Sequence, residues 1–217
     1  MEEDYTGDVT VDEWRKLWKD GKTDFVTQEL SSMFTKHVDK MLNSREKVKT
    51  FVVPFCGKVV EMKWLWDKGH EVVGVECGVE AIKDFFAENK IDYSMVEVPE
   101  VKGELYKSDD GRIRLYCCDF FKFYSGIESD FEAVWDSHAL NAVNLDDQEK
   151  YVNIIKSLMG NKCINLTVTD ELSVNCEKLR KWFNNGFRVE ESDFLKADEK
   201  LESFGFTGFH LYTIYKI

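Results

Sequence analysis

Three acids in this sequence close apolar runs of strand type. Glu76 ends Val72-Val73-Gly74-Val75, Asp119 ends Ile113-Arg114-Leu115-Tyr116-Cys117-Cys118, and Asp136 ends Phe131–Trp135 and is followed by Ser137 and His138. Roughly twenty residues before Glu76 an earlier run closes in Pro54-Phe55-Cys56-Gly57-Lys58. A glycine just past one strand lets a ligand approach the backbone, and an acid ending the next can take both hydroxyls of a ribose, one per oxygen. The turn holds one glycine where a dinucleotide fingerprint needs three, so it lacks the cradle for a pyrophosphate. NAD and FAD fit poorly. An adenosine ligand without phosphates fits better, and S-adenosylmethionine is the common ligand of that description. Asp119 with Phe120 adds an acceptor for an adenine amino group beside a ring on which to stack. Asp136 and His138 stand where a reacting partner approaches such a ligand, Asp136 as orienter or base and His138 as proton acceptor; a surface-loop histidine is the competing reading.

These residues need a scaffold that brings strand ends together. Thr10-Val11-Asp12-Glu13 is a capping-box signature opening a helix with Trp14 and Trp18 four apart on one face. Leu30, Met33, Phe34, His37, Val38, Met41 and Leu42 follow helical spacing, with His37 read as a packed core histidine. From Thr50 strands and helices alternate: strand 50–55, helix 59–68, strand 71–76, helix 79–89. A hairpin follows, from Leu105-Tyr106-Lys107 through Asp109-Asp110-Gly111 into the strand that ends at Cys118. Strand 131–136, helix 147–159 stopped by Gly160, strand 163–168 and helix 175–184 come next. Two last strands, Phe187–Lys196 and Phe206–Lys216, are joined by an irregular or 3₁₀ segment and pair antiparallel at one edge. The expected fold is α/β, a Rossmann-like doubly wound, seven-stranded, mostly parallel sheet with helices on both faces and a C-terminal antiparallel edge hairpin. It forms one domain over 1–217, with a helical cap at 1–45 over a core at 50–217. Trp14, Trp18 and Phe25 either close over the ligand, where aromatic faces suit a sulfonium cation, or staple the cap to the sheet.

Composition narrows the partners. With 29 basic and 41 acidic residues the net charge is −12, which disfavours the counterion-releasing contacts of nucleic-acid binding. No run approaches a membrane span, and the opening MEEDYTGDVT is too acidic for a leader, so a cytoplasmic, monomeric protein is expected. The six cysteines contain no C-x-x-C pair, and mostly lie in or beside strand-like runs. They read as reduced buried thiols, with no metal site.

Five stretches resemble the thiopurine S-methyltransferase family of class I methyltransferases: VDEWRKLWKDGKTDF, PFCGKVVEMKWLWDKGHEVVGVE, LYCCDFF, VWDSHAL and LYTIYKI. The W-x-x-x-W-x-x-G-x-T-x-F opening together with P-x-C-G-K is specific to that group. The resemblance implies S-adenosylmethionine as methyl donor, S-adenosylhomocysteine as product and a small acceptor, above all an aromatic or heterocyclic thiol. It implies cofactor-contacting roles for Trp14, Trp18, Phe55, Glu76 and Phe120, and sets Phe25 between cofactor and substrate. With Cys56, Gly57, Asp119 and Ser137 these make up the expected donor site. The acceptor half departs from the family: Val26 stands where a histidine is usual, Ser137 replaces an arginine, and Thr169–Val174 lacks a Pro-rich loop. A methyltransferase acting on an amine or other nucleophile, or a cofactor-binding relative without turnover, is the alternative.

Overall fold

The computed structural model describes residues 9–23, 26–42, 50–170, 173–203 and 205–217, without the side chains of 200 and 201. Two helices come first, α1 (Val11–Lys19) and α2 (Ser32–Leu42). The capping box forms as read: the Glu13 amide donates to Thr10 Oγ1, and Glu13 Oε2 accepts from the Thr10 amide at 2.7 Å.

The alternating region follows as β1 (Thr50–Pro54), α3 (Val60–Asp67), β2 (Glu71–Glu76), α4 (Val79–Asn89), β3 (Tyr93–Val98), β4 (Gly103–Ser108), β5 (Ile113–Cys117) and β6 (Phe131–Ser137). Then come α5 (Ala139–Ala142), α6 (Gln148–Leu158), β7 (Met159–Asp170), α7 (Cys176–Trp182), β8 (Phe187–Lys196), α8 (Glu199–Ser203) and β9 (Gly208–Lys216). One sheet holds them in the order β3-β4-β5-β2-β1-β6-β7-β9-β8. The C-terminal edge pairing is antiparallel, as expected.

Four expectations are corrected. The sheet has nine strands rather than seven, because β3 joins β4 to extend it past β5. β3 is exposed along five of its six residues, and its one ring contact with a helix is Tyr93 on Phe86 of α4 at 4.6 Å, so no apolar alternation marks it; an edge strand this open has almost no buried face to encode. The sheet is evenly mixed rather than mostly parallel: β1, β2, β5, β6 and β7 run parallel through four pairings, and β3–β4, β4–β5, β7–β9 and β8–β9 are antiparallel. Gly160, expected to stop a helix, instead lies in β7. A Cβ there would stand 3.0 Å from the carbonyl oxygens of Asp130 and Phe131, so a bare backbone lets the strands meet. The last connection contains the short helix α8.

Apolar residues cover both faces. Phe34, Met62 and Phe85 from α2, α3 and α4 pack on one side, and Tyr151, Ile155 and Leu179 from α6 and α7 on the other. His37 is buried, as read, and its Nε2 lies 2.7 Å from Asp193 Oδ2.

Candidate functional site

The chain runs from β1 outward through β2 to β5, then returns to lay β6 and β7 on the other side of β1. The topological switch point therefore lies between β1 and β6, where ligands of open α/β sheets bind at the carboxyl ends of the strands. Every described residue singled out in the sequence from Phe55 onward falls at or just past one of those ends.

Glu76 is buried beneath the turn. Its Oε2 accepts from the Gly57 amide at 2.9 Å and its Oε1 from the Gly78 amide at 2.8 Å. The carboxylate thus ties the loop after β1 to the loop after β2. Cys77, next in the chain, adds its thiol and its amide to the donors around the carboxylate. Burial pushes the carboxyl pKa up, while the two glycine amides pull it back. Gly57 has φ +46°, a backbone conformation that favours glycine. Phe55, two residues earlier, shares that left-handed region at φ 46°, where a bulky side chain is uncommon. Its ring meets Phe120 at 5.4 Å and Tyr151 at 5.8 Å, so packing holds the unusual turn.

Trp18 is buried directly over this clasp. A Cβ on Gly57 would meet its ring at 3.0 Å, and one on Gly78 at 2.4 Å. The two glycines and the indole are thus mutually fitted, a cradle that any side chain would fill. Trp14, one turn back on α1, is half-buried, and Phe25 lies outside the described residues. Cys56 contributes backbone alone, because its side chain is turned into the core, where its sulfur would stand 2.6 Å from a Cβ on Gly74. Asp119 caps the 3₁₀ turn Phe120–Lys122 by accepting from the Phe121 amide at 2.9 Å. Phe120 is buried against Tyr151, ring centroids 5.0 Å apart.

Asp136 is enclosed. Oδ2 accepts from the Tyr151 hydroxyl at 2.8 Å and Oδ1 from the Leu140 amide at 3.3 Å. Burial pushes its pKa up to about 6, against the pull of Tyr151 and the backbone amides. Of the two roles read from sequence, this geometry suits the orienter: the carboxylate fixes the loop carrying Ser137 and His138. His138 has φ 64° and caps α5 without a side-chain bond. Its ring stands edge-on to Phe209 at 4.8 Å, and burial depresses its pKa.

Sequence reasoning passed over Gly78, Tyr151, Asn141, Asp170 and Ser173. A tyrosine within an aliphatic helix stripe was the one available signal, since a buried hydroxyl needs a partner.

A cleft of about 770 Å³ opens beside this site, between α1, the start of α4 and the β3–β4 hairpin, with Arg15, Cys77, Glu80, Glu104 and Cys117 on its walls. Arg15 Nε donates to the Cys77 carbonyl there at 3.3 Å. Among the described residues no cluster of His, Cys, Asp and Glu could hold a metal ion, and no helix is long and apolar enough to cross a membrane.

Solved structures share this architecture. The N-methyltransferase NodS of Bradyrhizobium japonicum aligns over 93% of this chain and 97% of its own, with TM-score 0.66 and 10% identity. The 1,6-didemethyltoxoflavin-N1-methyltransferase of Burkholderia thailandensis aligns over 95% and 86%, with TM-score 0.64 and 12% identity. The fold is that of the Rossmann-like methyltransferases. Sequence comparison is more specific. The family model described as Thiopurine S-methyltransferase matches residues 9–210. The probable thiopurine S-methyltransferase of Danio rerio is 40% identical over 156 residues, 71% of this chain and 67% of that protein. The thiopurine S-methyltransferase of Equus caballus is 41% identical over 151 residues, 69% of this chain and 61% of its own length. The chain belongs to the thiopurine S-methyltransferase family.

Proposed function

We propose that this chain transfers a methyl group from S-adenosylmethionine to a small-molecule acceptor, a thiol in the first instance. The observation that carries the reading is the Glu76 clasp, a buried carboxylate bonded to the amides of Gly57 and Gly78 at the switch point of a chain in this family. Glu76 is the ribose acceptor, and the backbone of Cys56 and Gly57 gives the ligand close approach. Asp119 and Phe120 border the adenine, and Trp14, Trp18, Phe55 and Ser137 complete the walls. Phe25 belongs to the same proposed set on the strength of the sequence. Since Trp18 covers the clasp, α1 shifts as the donor enters. One methyltransferase domain over 1–217, capped by 1–45, is part of the reading. So is a monomer acting in the cytoplasm, which size-exclusion chromatography and imaging of the tagged chain test.

The donor supplies a methyl on a sulfonium, ready for in-line displacement. What the chain adds is position, and orientation of two reactants can supply roughly 7–11 kcal/mol of barrier lowering at best. Glu76 and its glycines fix the donor on the β2 side of the switch point. The Asp136–Tyr151 pair holds the β6 loop, so that Ser137 and His138 present the acceptor from the other side.

Calorimetric titration with S-adenosylhomocysteine, followed by labelled-donor assays on a thiol panel, tests the proposal. Micromolar binding and a methylated thiol support it. Binding without turnover on any acceptor points to a relative that keeps the donor site alone.

A further inference from the structure

Past the carboxyl ends of β6 and β7 lies a second polar cluster, none of it in the donor site. Asp170, the last residue of β7, is buried. Its carboxylate accepts from the Ser173 amide at 3.0 Å, from the Ser173 hydroxyl at 3.1 Å and from the Asn141 side-chain amide. The same Asn141 nitrogen also meets Ser173 Oγ. Donors in this cluster are therefore committed to Asp170. What remains is acceptor capacity: Asn141 Oδ1 is buried with no hydrogen-bond partner among the described residues, and the His138 ring is the adjacent base. His138 reaches this position through a left-handed backbone at the end of β6, a conformation that concentrates at functional sites.

Asp170 ends β7 beside the end of β6 that carries His138: Ser137 pairs with Val168, the His138 amide donates to the Val168 carbonyl at 3.3 Å, and the Asp170 charge favours a protonated ring. β9 presents Phe209 to it, and the next residue, His210, has its Nδ1 on Glu191 of β8 at 2.8 Å. Lys178 of α7 is turned to the Ser173 carbonyl at 2.8 Å. On its own strand, Asp136 is committed to Tyr151 and Leu140.

We infer that His138 is a catalytic base positioned by Asp170, and that the acceptor is a thiol still carrying its proton at neutral pH rather than an acidic aromatic thiolate. This rests on the donor reading above. An anionic acceptor would stand beside the Asp170 carboxylate, whereas an S–H group is a donor matched to the cluster's free acceptors. In the transfer, the thiol sulfur's lone pair forms the new S–CH₃ bond. The bond from methyl carbon to donor sulfonium breaks, and its electron pair stays on the departing sulfur. The thiol proton passes to a His138 ring nitrogen, and Asp170 faces the resulting imidazolium. Burial favours the neutral, proton-accepting imidazole at rest.

The test uses 2-mercaptoethanol, un-ionised at neutral pH, and 4-nitrothiophenol, which is ionised there. His138→Asn is the informative variant, because asparagine tolerates the left-handed backbone. For 2-mercaptoethanol, kcat/KM should rise with pH through an inflection below 6.5, and His138→Asn should remove the inflection and lower turnover about 10²-fold or more. The loss on 4-nitrothiophenol should be at least about tenfold smaller, since general-base help matters less to a thiolate. Equal losses on both thiols, no inflection, or no methylation of 2-mercaptoethanol by a chain that binds S-adenosylhomocysteine would overturn the inference. Failure to bind S-adenosylhomocysteine would instead bring down the donor reading on which it rests. Asp170 has its own readout, independent of turnover: NMR titration of the His138 imidazole should show a lower pKa in Asp170→Asn than in wild type. An unchanged or raised value refutes its positioning role.

Discussion

Replacing Glu76 by alanine removes one carboxylate and exposes two separable consequences. Both oxygens accept backbone amides, from Gly57 at 2.9 Å and Gly78 at 2.8 Å, in a site where Glu76 retains 5% exposure. An unpaired buried donor costs about 1–3 kcal/mol, so two orphaned amides cost about 2–6 kcal/mol. Relief of the desolvated charge offsets part of this, and a net loss of about 2–4 kcal/mol follows. In a chain of this length that lowers Tm by about 4–16 °C. Glu76→Gln keeps one acceptor oxygen and should lose roughly half as much. Binding falls separately, because two ribose hydroxyls lose charge-assisted partners worth about 1.5–3 kcal/mol each. Even the lower figure for both, about 3 kcal/mol, weakens Kd about 100-fold. Calorimetry with S-adenosylhomocysteine and thermal denaturation, run on wild type and both variants, separate these effects. A folded Glu76→Ala chain that binds within about threefold of wild type would refute the ribose assignment. Unchanged Tm in both variants would refute the clasp.

Three further outcomes are expected. Asp136 is raised to about 6 in the folded chain against about 3.9 unfolded, so between those values the native state holds more protons. Its contribution to stability is full below about pH 4 and falls by about 3 kcal/mol as pH rises through 6. Denaturant titrations of wild type minus Asp136→Asn should show that fall, and a flat difference would contradict the burial argument. Trp18 lies against the two glycines of the clasp, so S-adenosylhomocysteine should change tryptophan emission in wild type and much less in Trp18→Phe; equal responses would place the donor elsewhere. Gly74→Ala would set a Cβ 2.6 Å from both Cys56 Sγ and Leu115 Cδ2, an overpacking that should cost about 1–3 kcal/mol in chemical denaturation. A neutral result would show that these side chains yield freely.

The strength of the sequence lay in local statements. Capping at Thr10, the helix over 79–89, and the runs ending at Glu76 and Asp119 are each written within a few residues, and each took its expected form. β3 escaped because a strand exposed on both faces carries no apolar period. Gly160 was misread because a glycine that ends a helix and one that admits a neighbouring backbone look alike until the neighbour is known. The family signature reached further, since three of its motifs, those carrying Glu76, Asp119 and Asp136, lie at the strand ends the fold brings together.

What only tertiary structure decided is every contact between residues far apart in the chain. Nothing near Tyr151 says that its hydroxyl meets Asp136, fifteen positions earlier. Asn141 and Asp170 are twenty-nine apart and meet only because β6 and β7 are neighbours. The sequence by itself determined where acids, aromatics and a histidine stand near strand ends, because side-chain chemistry is written residue by residue. Whether Glu76 would be clasped by two glycines under Trp18, and Asp136 sealed against Tyr151 and the Leu140 amide, depended on burial and on which strand ends lie side by side. Those are properties of the packed sheet.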